Sequence, residues 1–103
     1  MSQLTADQQR AEITRVLREG NARMEADNGG PALEWPLLLS SYVHEALCLV
    51  LGAQMTRSHL IALLVQADNA QKATAPGADW PSWYAGWLHA RYQHNRPGTA
   101  PQA

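Results

Sequence analysis

The sequence predicts an all-α protein, a compact bundle of about four helices in a single domain spanning residues 1–96. Apolar residues recur at intervals of three and four along most of the chain, as on one face of a helix. No stretch alternates apolar and polar residues in the manner of a half-buried strand. Clusters of glycine and proline divide the chain into segments. The predicted helices are about 5–28, 36–51, 57–72 and 80–95, followed by a disordered, flexible tail at 97–103.

Composition limits the partners that this chain can attract. Its 103 residues carry a formal net charge of −1 and a single cysteine, Cys48. Such a charge gives no long-range attraction to nucleic acid or anionic lipid, and one cysteine cannot form an intrachain disulfide. We expect Cys48, within the apolar run ALCLVL, to be a buried thiol. Because a chain of this length supports one modest core, dimerisation is a reasonable way to bury more surface.

Nothing in the sequence resembles a targeting or membrane segment. The N-terminus, MSQLTADQQR, lacks the basic start and the apolar stretch of a signal peptide. The most apolar run, from Pro36 to Leu51, is shorter than the roughly 20 residues needed to span a bilayer, and polar residues interrupt it. We therefore expect a cytoplasmic protein that does not enter membranes.

The first helix is predicted by its ends and by one apolar face. Thr5 and Gln8 match a capping box, in which each side chain satisfies a backbone N–H of the first turn. The segment NGGP at 28–31 ends the helix, because glycine accepts the left-handed cap and proline cannot continue. Gly20 is expected to destabilise this helix by about 1 kcal/mol relative to alanine, a local weak point if the position is exposed. The inner face comprises Ile13, Val16, Leu17 and Met24.

The second helix begins at Trp35-Pro36, since proline is favoured in the first helical turn. Gly52 supplies its end. From position 37 to 51 nearly every side of this helix is apolar, which is typical of a helix at the centre of a bundle. We therefore expect the other three helices to surround it.

The third helix supports an alternative function, DNA binding through a helix-turn-helix. Its start, with Thr56 as N-cap, offers the kind of polar side chains that a recognition helix presents to base edges. However, Ser58 stands six residues after the turn glycine, where the motif needs an apolar residue. The chain also lacks the excess of Lys and Arg that binds phosphate. The DNA-reading candidates are Thr56, Arg57, Ser58 and His59. The inner face is predicted to be Leu60, Ile61, Leu64 and Ala67, widened by Leu63 and Val65.

The fourth helix contains the most unusual stretch, DWPSWYAGWLHARY, with Asp79 as its predicted N-cap. This stretch holds three of the four tryptophans and two of the three tyrosines of a chain without phenylalanine. Most of its rings share one helical face, which is predicted to pack on the second helix, with Gly86 allowing a close backbone approach.

Rings of this helix that stay exposed would form a binding surface, since Trp, Tyr and Arg dominate binding hot spots. The aromatic helix can contribute both to the core and to a binding surface if Trp80 and Trp87 lie in the core and Trp83 lies at the edge of the exposed surface. The candidate binding residues are Trp80, Trp83, Tyr84, Trp87, Arg91 and Tyr92.

Catalytic motifs are absent from the sequence. It has no Gly-rich phosphate loop, no GxSxG and no HExxH. His44 and Cys48 could face one metal ion, but two ligands are too few for a structural zinc site unless His59 or a carboxylate joins them. His89 and His94 do not converge on one point. We expect both to lie near the C-terminal end of their helix, where the helix dipole favours positive charge. We therefore expect no enzyme, no cofactor and no metal.

The segment WPSWYAGWLHARY resembles the W-x-x-W-Y-A ending of small uncharacterised helical proteins from bacteria of high GC content. The resemblance covers about a dozen residues near the C-terminus and implies no activity.

The sequence as a whole favours a small non-catalytic interaction or regulatory protein that acts through an aromatic helix surface. Its partner would be another protein or a second copy, in a homodimer. A small inhibitor or accessory protein of phage or toxin–antitoxin type fits this description. A helix-turn-helix regulator is the first alternative. A small-molecule pocket lined by tryptophan, Tyr42 and His44, with or without metal-dependent catalysis, is the second.

Overall fold

The structure, a computed structural model, describes residues 5–30, 34–52 and 54–95, with side chains as far as Arg91. It confirms the all-α fold, and no strand occurs within these residues. No helix in them is long and apolar enough to cross a membrane. The predicted tail at 97–103 lies outside the described residues. The four helices are α1 (Ala6–Asn28), α2 (Trp35–Leu51), α3 (Arg57–Thr74) and α4 (Trp80–Asn95).

The helix ends are fixed by the predicted capping residues. Thr5 Oγ1 accepts the Gln8 backbone N–H at 3.1 Å, and the Gln8 side chain accepts the Thr5 N–H at 2.9 Å. The Thr56 hydroxyl accepts a first-turn N–H of α3 at 3.0 Å. Gly29 and Gly52 close α1 and α2 with φ of 76° and 67°, a conformation that glycine adopts at little cost. Local interactions therefore determine where these helices begin and end.

The four helices form a square in which each helix packs mainly on two neighbours. α1 lies against α2 and α4, and α3 lies against the same two helices. The prediction that α2 is the central helix is therefore wrong. Its outer side is open, and Leu37 and Leu49 are 45% and 79% exposed. Two neighbours cover only part of a helix's circumference, so the apolar composition of α2 exceeds what its contacts bury.

The core lies at the middle of the square, and the predicted inner face of α1 is confirmed in full. The inner face of α3 is narrower than predicted, because Val65 is 40% exposed and Ile61 is half-buried. The buried apolar residues are Ile13, Val16, Leu17, Met24, Leu39, Val43, Leu47, Leu51, Leu60, Leu63, Leu64, Ala67, Tyr84, Ala85 and Leu88.

Gly20 has a packing role that its position in the sequence did not indicate. It is buried against α2, and a Cβ added to it would lie 2.3 Å from Val43 Cγ1. That separation is far too short for two carbon atoms in contact, so the missing side chain allows α1 and α2 to approach closely. Gly20 is therefore a requirement of the helix–helix contact rather than a weak point in an exposed helix.

Polar contacts tie α4 to α1 at two levels. Arg18 donates to Asp79 across 2.9 Å, and the Ser82 hydroxyl donates to the same carboxylate at 2.9 Å. These two donors, Arg18 above all, lower the pKa of Asp79, which also accepts the Ser82 N–H in its predicted capping role. Further along, the buried His89 donates from Nε2 to the Gln9 side chain at 2.9 Å. His89 therefore belongs to the α1–α4 interface, which corrects its predicted role as a helix-end charge.

We expect Gly20→Ala to lower the free energy of unfolding by about 1–3 kcal/mol, the usual cost of overpacking a core. Val43 cannot readily move aside, because its β-branched side chain is stiff and fully buried. Gly86→Ala in α4 is the matched control, since no described residue beyond its immediate stretch of helix lies within 4 Å of its Cβ position. This control should be neutral or stabilising by up to about 1 kcal/mol. Denaturant unfolding measures both variants, and an equal gain in stability from both would contradict the close approach at Gly20.

Candidate functional site

The rings of α4 up to Trp87 divide between two places on the molecule. Tyr84 is only 2% exposed, whereas Trp80, Trp83 and Trp87 are half-buried. α4 packs on α1 and α3 and meets α2 through the ring of Trp35, so it does not lie along α2 as predicted. The first place is a cleft, called here the four-helix cleft, and the second is the outward side of the helix, called the outer α4 face.

The four-helix cleft is an opening of about 210 Å³ to which every helix contributes. It lies where α1 approaches its end and where α2 and α4 begin. Its lining therefore combines positions that are far apart in the chain. The lining residues are Asn21, Met24 and Glu25 of α1, Trp35 of α2, Asp68 of α3, and Trp80 and Tyr84 of α4.

Tyr84 stands between two indoles in this cleft. Its ring meets that of Trp80 edge-on, with centroids 5.0 Å apart and an interplanar angle of 62°. Trp35 approaches it at 6.2 Å with a tilt of 37°, and both arrangements are favourable for aromatic pairs. The Tyr84 hydroxyl donates to Asp68 Oδ1 at 2.9 Å. Burial, together with this hydrogen bond, raises the pKa of Tyr84 well above its ordinary value, so the phenol remains a neutral donor.

The charged groups among the described residues of the cleft lining are both carboxylates. Glu25 accepts from the Asn21 side-chain amide at 3.3 Å. Asp68 Oδ2 pairs with Lys72 Nζ at 2.9 Å, one helical turn further along α3. The Lys72 side chain is 72% exposed and that of Asp68 is 22% exposed, so Lys72 offsets part of the charge on Asp68 from the solvent side. The cleft therefore presents aromatic rings and negative charge to whatever enters it.

The outer α4 face is formed by Trp83, Gly86, Trp87 and Ala90. Ala90 is exposed and the other three are half-buried. Among the described residues, no segment outside α4 comes within 4 Å of the Cβ position of Gly86, so the predicted close approach is not made by any of them. The face therefore consists of two indoles beside open space over small residues.

Arg91 borders the outer α4 face on the α3 side. Its guanidinium carbon lies 4.8 Å from the centroid of the Trp87 ring, which is a cation–π contact. Its Nη2 donates to the Gln66 side chain at 3.1 Å. The side chain of Tyr92, the last residue of the predicted binding surface, lies outside the described residues.

The predicted DNA-reading residues lie together at the start of α3. Thr56, Arg57, Ser58 and His59 are all exposed. Arg57 borders an open groove of about 580 Å³ between α2 and α3, where Glu45 also lies. An acid beside the arginine offsets part of its attraction for phosphate. DNA binding at this surface stays a prediction.

His44 and Cys48 line that same groove, but both point to one backbone carbonyl. His44 Nε2 donates to the Met55 oxygen at 2.5 Å, and Cys48 Sγ lies 3.9 Å from the same atom. Cys48 is half-buried, not fully buried as predicted. Tyr42 donates to Asp27 of α1 at 2.6 Å and lines neither this groove nor the four-helix cleft, so a pocket shared by Tyr42 and His44 stays a prediction. Among the described residues, no cluster of three His, Cys, Asp or Glu could hold a metal ion.

No protein-family model, curated protein or solved structure matches this chain. The candidate sites therefore depend on their own geometry, which defines a four-helix bundle with a ring-lined cleft at one end and an indole-bearing helix face. The predicted binding surface included Trp80 and Tyr84 of this cleft but not Glu25, Trp35 or Asp68. No spacing along the chain links these three residues, because each belongs to a different helix.

We expect stability to fall as pH rises above about 10, because tyrosine in the unfolded chain then ionises while the raised pKa of Tyr84 keeps it neutral in the folded protein. One such group contributes a slope of up to about 1.4 kcal/mol per pH unit. Tyr84→Phe should remove this part of the slope, measured by denaturant unfolding between pH 9 and about 11.5. Tyr42→Phe is the control, since the pKa of Tyr42 is raised less, mainly through its hydrogen bond to Asp27. A slope unchanged in Tyr84→Phe would contradict the buried, neutral phenol.

Proposed function

We propose that this protein is a small non-catalytic interaction protein that assembles with a second copy of itself through the outer α4 face. The observation that carries the proposal is that one face combines two partly exposed indoles, Trp83 and Trp87, with the small residues Gly86 and Ala90, of which Ala90 is exposed and Gly86 meets no described residue of another helix within 4 Å of its Cβ position. A two-fold interface uses the same patch on both subunits, so the patch must be complementary to itself. The indoles of one copy can occupy the space over the small residues of the other.

The free energy of dimerisation would come from the apolar surface that is exposed at this face. Trp is among the residues that carry most of the binding energy at interfaces, and covering the exposed parts of Trp83 and Trp87 removes apolar surface from water. A net charge of −1 gives little repulsion between two copies. A chain of 103 residues also buries a smaller share of its surface than a larger protein does. Assembly therefore stabilises the fold as well as the pair.

The first experiment places a charge in the open space of the proposed interface. Ala90 is exposed on a helix, so Ala90→Glu should leave the helical content unchanged and weaken the dimer about tenfold or more, because a buried unpaired carboxylate is costly. Analytical ultracentrifugation over a range of protein concentrations measures the dissociation constant. Trp83→Ala should weaken the dimer as well, with circular dichroism as the check on folding.

The matched control for Ala90→Glu is Ser41→Glu, which adds the same charge to the exposed side of α2. It should dimerise like the natural sequence. A natural chain that stays monomeric at every concentration would overturn the proposal. A dimer that survives Ala90→Glu but dissociates in Leu49→Glu would place the interface on the open leucines of α2 instead.

A further inference from the structure

The four-helix cleft has the composition of a site for an organic cation. Two indoles, from Trp35 and Trp80, and the ring of Tyr84 form its apolar lining. The faces of aromatic rings are negative, and they attract a cation held within about 6 Å. The carboxylates of Glu25 and Asp68 add negative charge, of which Lys72 offsets a part through its pair with Asp68. Rings and acids together therefore favour a positive ligand and repel an anionic one.

A metal ion does not fit this lining. Hard metal ions require several oxygen ligands converging on one point, and no group of three His, Cys, Asp or Glu side chains in the described residues could hold one. Instead, much of the lining is apolar, including the thioether side chain of Met24. The ligand therefore combines positive charge with an apolar surface.

The hydrogen bonds already present favour a cation without N–H donors. Asp68 accepts from Tyr84 through one oxygen and pairs with Lys72 through the other. Glu25 accepts from Asn21. The rings that form much of the lining offer no strong acceptor, so a primary ammonium or a guanidinium would find partners for its N–H donors on only part of the cleft. A quaternary ammonium has no donors, so it gains from the rings and the negative charge while the existing hydrogen bonds stay intact.

The size of the cleft favours a head group over a larger ligand. Its volume of about 210 Å³ is below the roughly 300–1,000 Å³ of sites that enclose drug-sized molecules. We propose that the four-helix cleft binds a trimethylammonium group, carried by a small molecule or by a methylated lysine side chain. This site is separate from the outer α4 face and does not depend on dimerisation there.

The test compares choline with 3,3-dimethyl-1-butanol, which has the same shape but no charge. Each is titrated into the protein while the indole N–H signals are followed by NMR. We expect choline to shift the signals of Trp35 and Trp80 saturably and to leave those of Trp83 and Trp87 in place. The neutral analogue should bind at least about tenfold more weakly than choline, because it lacks the attraction to rings and carboxylates.

Asp68→Asn separates charge from shape at the same site. The amide keeps an acceptor oxygen for the Tyr84 hydroxyl but removes the negative charge, so choline should bind several-fold more weakly while the neutral analogue is unaffected. Glu45→Gln removes an exposed acid from the α2–α3 groove and should leave choline binding unchanged. A circular dichroism spectrum confirms that each variant is folded.

The cation site would be overturned if choline produced no saturable shift of the Trp35 and Trp80 signals, or if choline and its neutral analogue bound equally well. An equal loss of choline affinity in Glu45→Gln and Asp68→Asn would also contradict the cation site, since the net charge of the protein would then explain the binding. A peptide carrying trimethyllysine, titrated beside its unmodified form, distinguishes the two sources of the group. Unchanged choline binding in Ala90→Glu would show that the cleft works whether or not the dimer forms.

Discussion

The close contact between α1 and α2 at Gly20 is the constraint on which the rest of the structure depends. With no side chain at this position, Val43 can lie where a Cβ would otherwise be. The positions that follow Gly20 on α1, Asn21, Met24 and Glu25, are those that line the four-helix cleft. Holding α1 close to α2 brings these residues to the end of the bundle where Trp35 begins α2. Tight packing in the core therefore determines the geometry of a surface cleft.

Tyr84 connects the core with the four-helix cleft. Its ring is packed between two indoles, and its hydroxyl reaches Asp68 on α3. A buried phenol needs such a partner, because a hydroxyl without a hydrogen bond is costly in an apolar setting. The same bond holds a carboxylate beside the rings, which gives the cleft its negative side. The aromatic stretch of α4 therefore stabilises the fold and shapes a site at the same time.

Net charge described the whole molecule but not its cleft. A formal charge of −1 predicts little long-range attraction to nucleic acid, yet it says nothing about where individual charges lie. Glu25 and Asp68 are two acids of a nearly neutral chain, and folding places both beside the same rings. Over distances shorter than the screening length of about 8–10 Å, such local charges decide which ligands are favoured.

The sequence by itself determined the helices, because caps and inner faces depend on interactions within one or two turns. Thr5, Thr56 and Gly29 act over three or four positions, and the spacing of apolar residues follows the helical period. Only the tertiary structure decided which helices are neighbours, and with that the open side of α2, the role of Gly20 and the empty space at Gly86. The four-helix cleft belongs to this second group, since its lining comes from four helices whose contacts are set by packing across the chain.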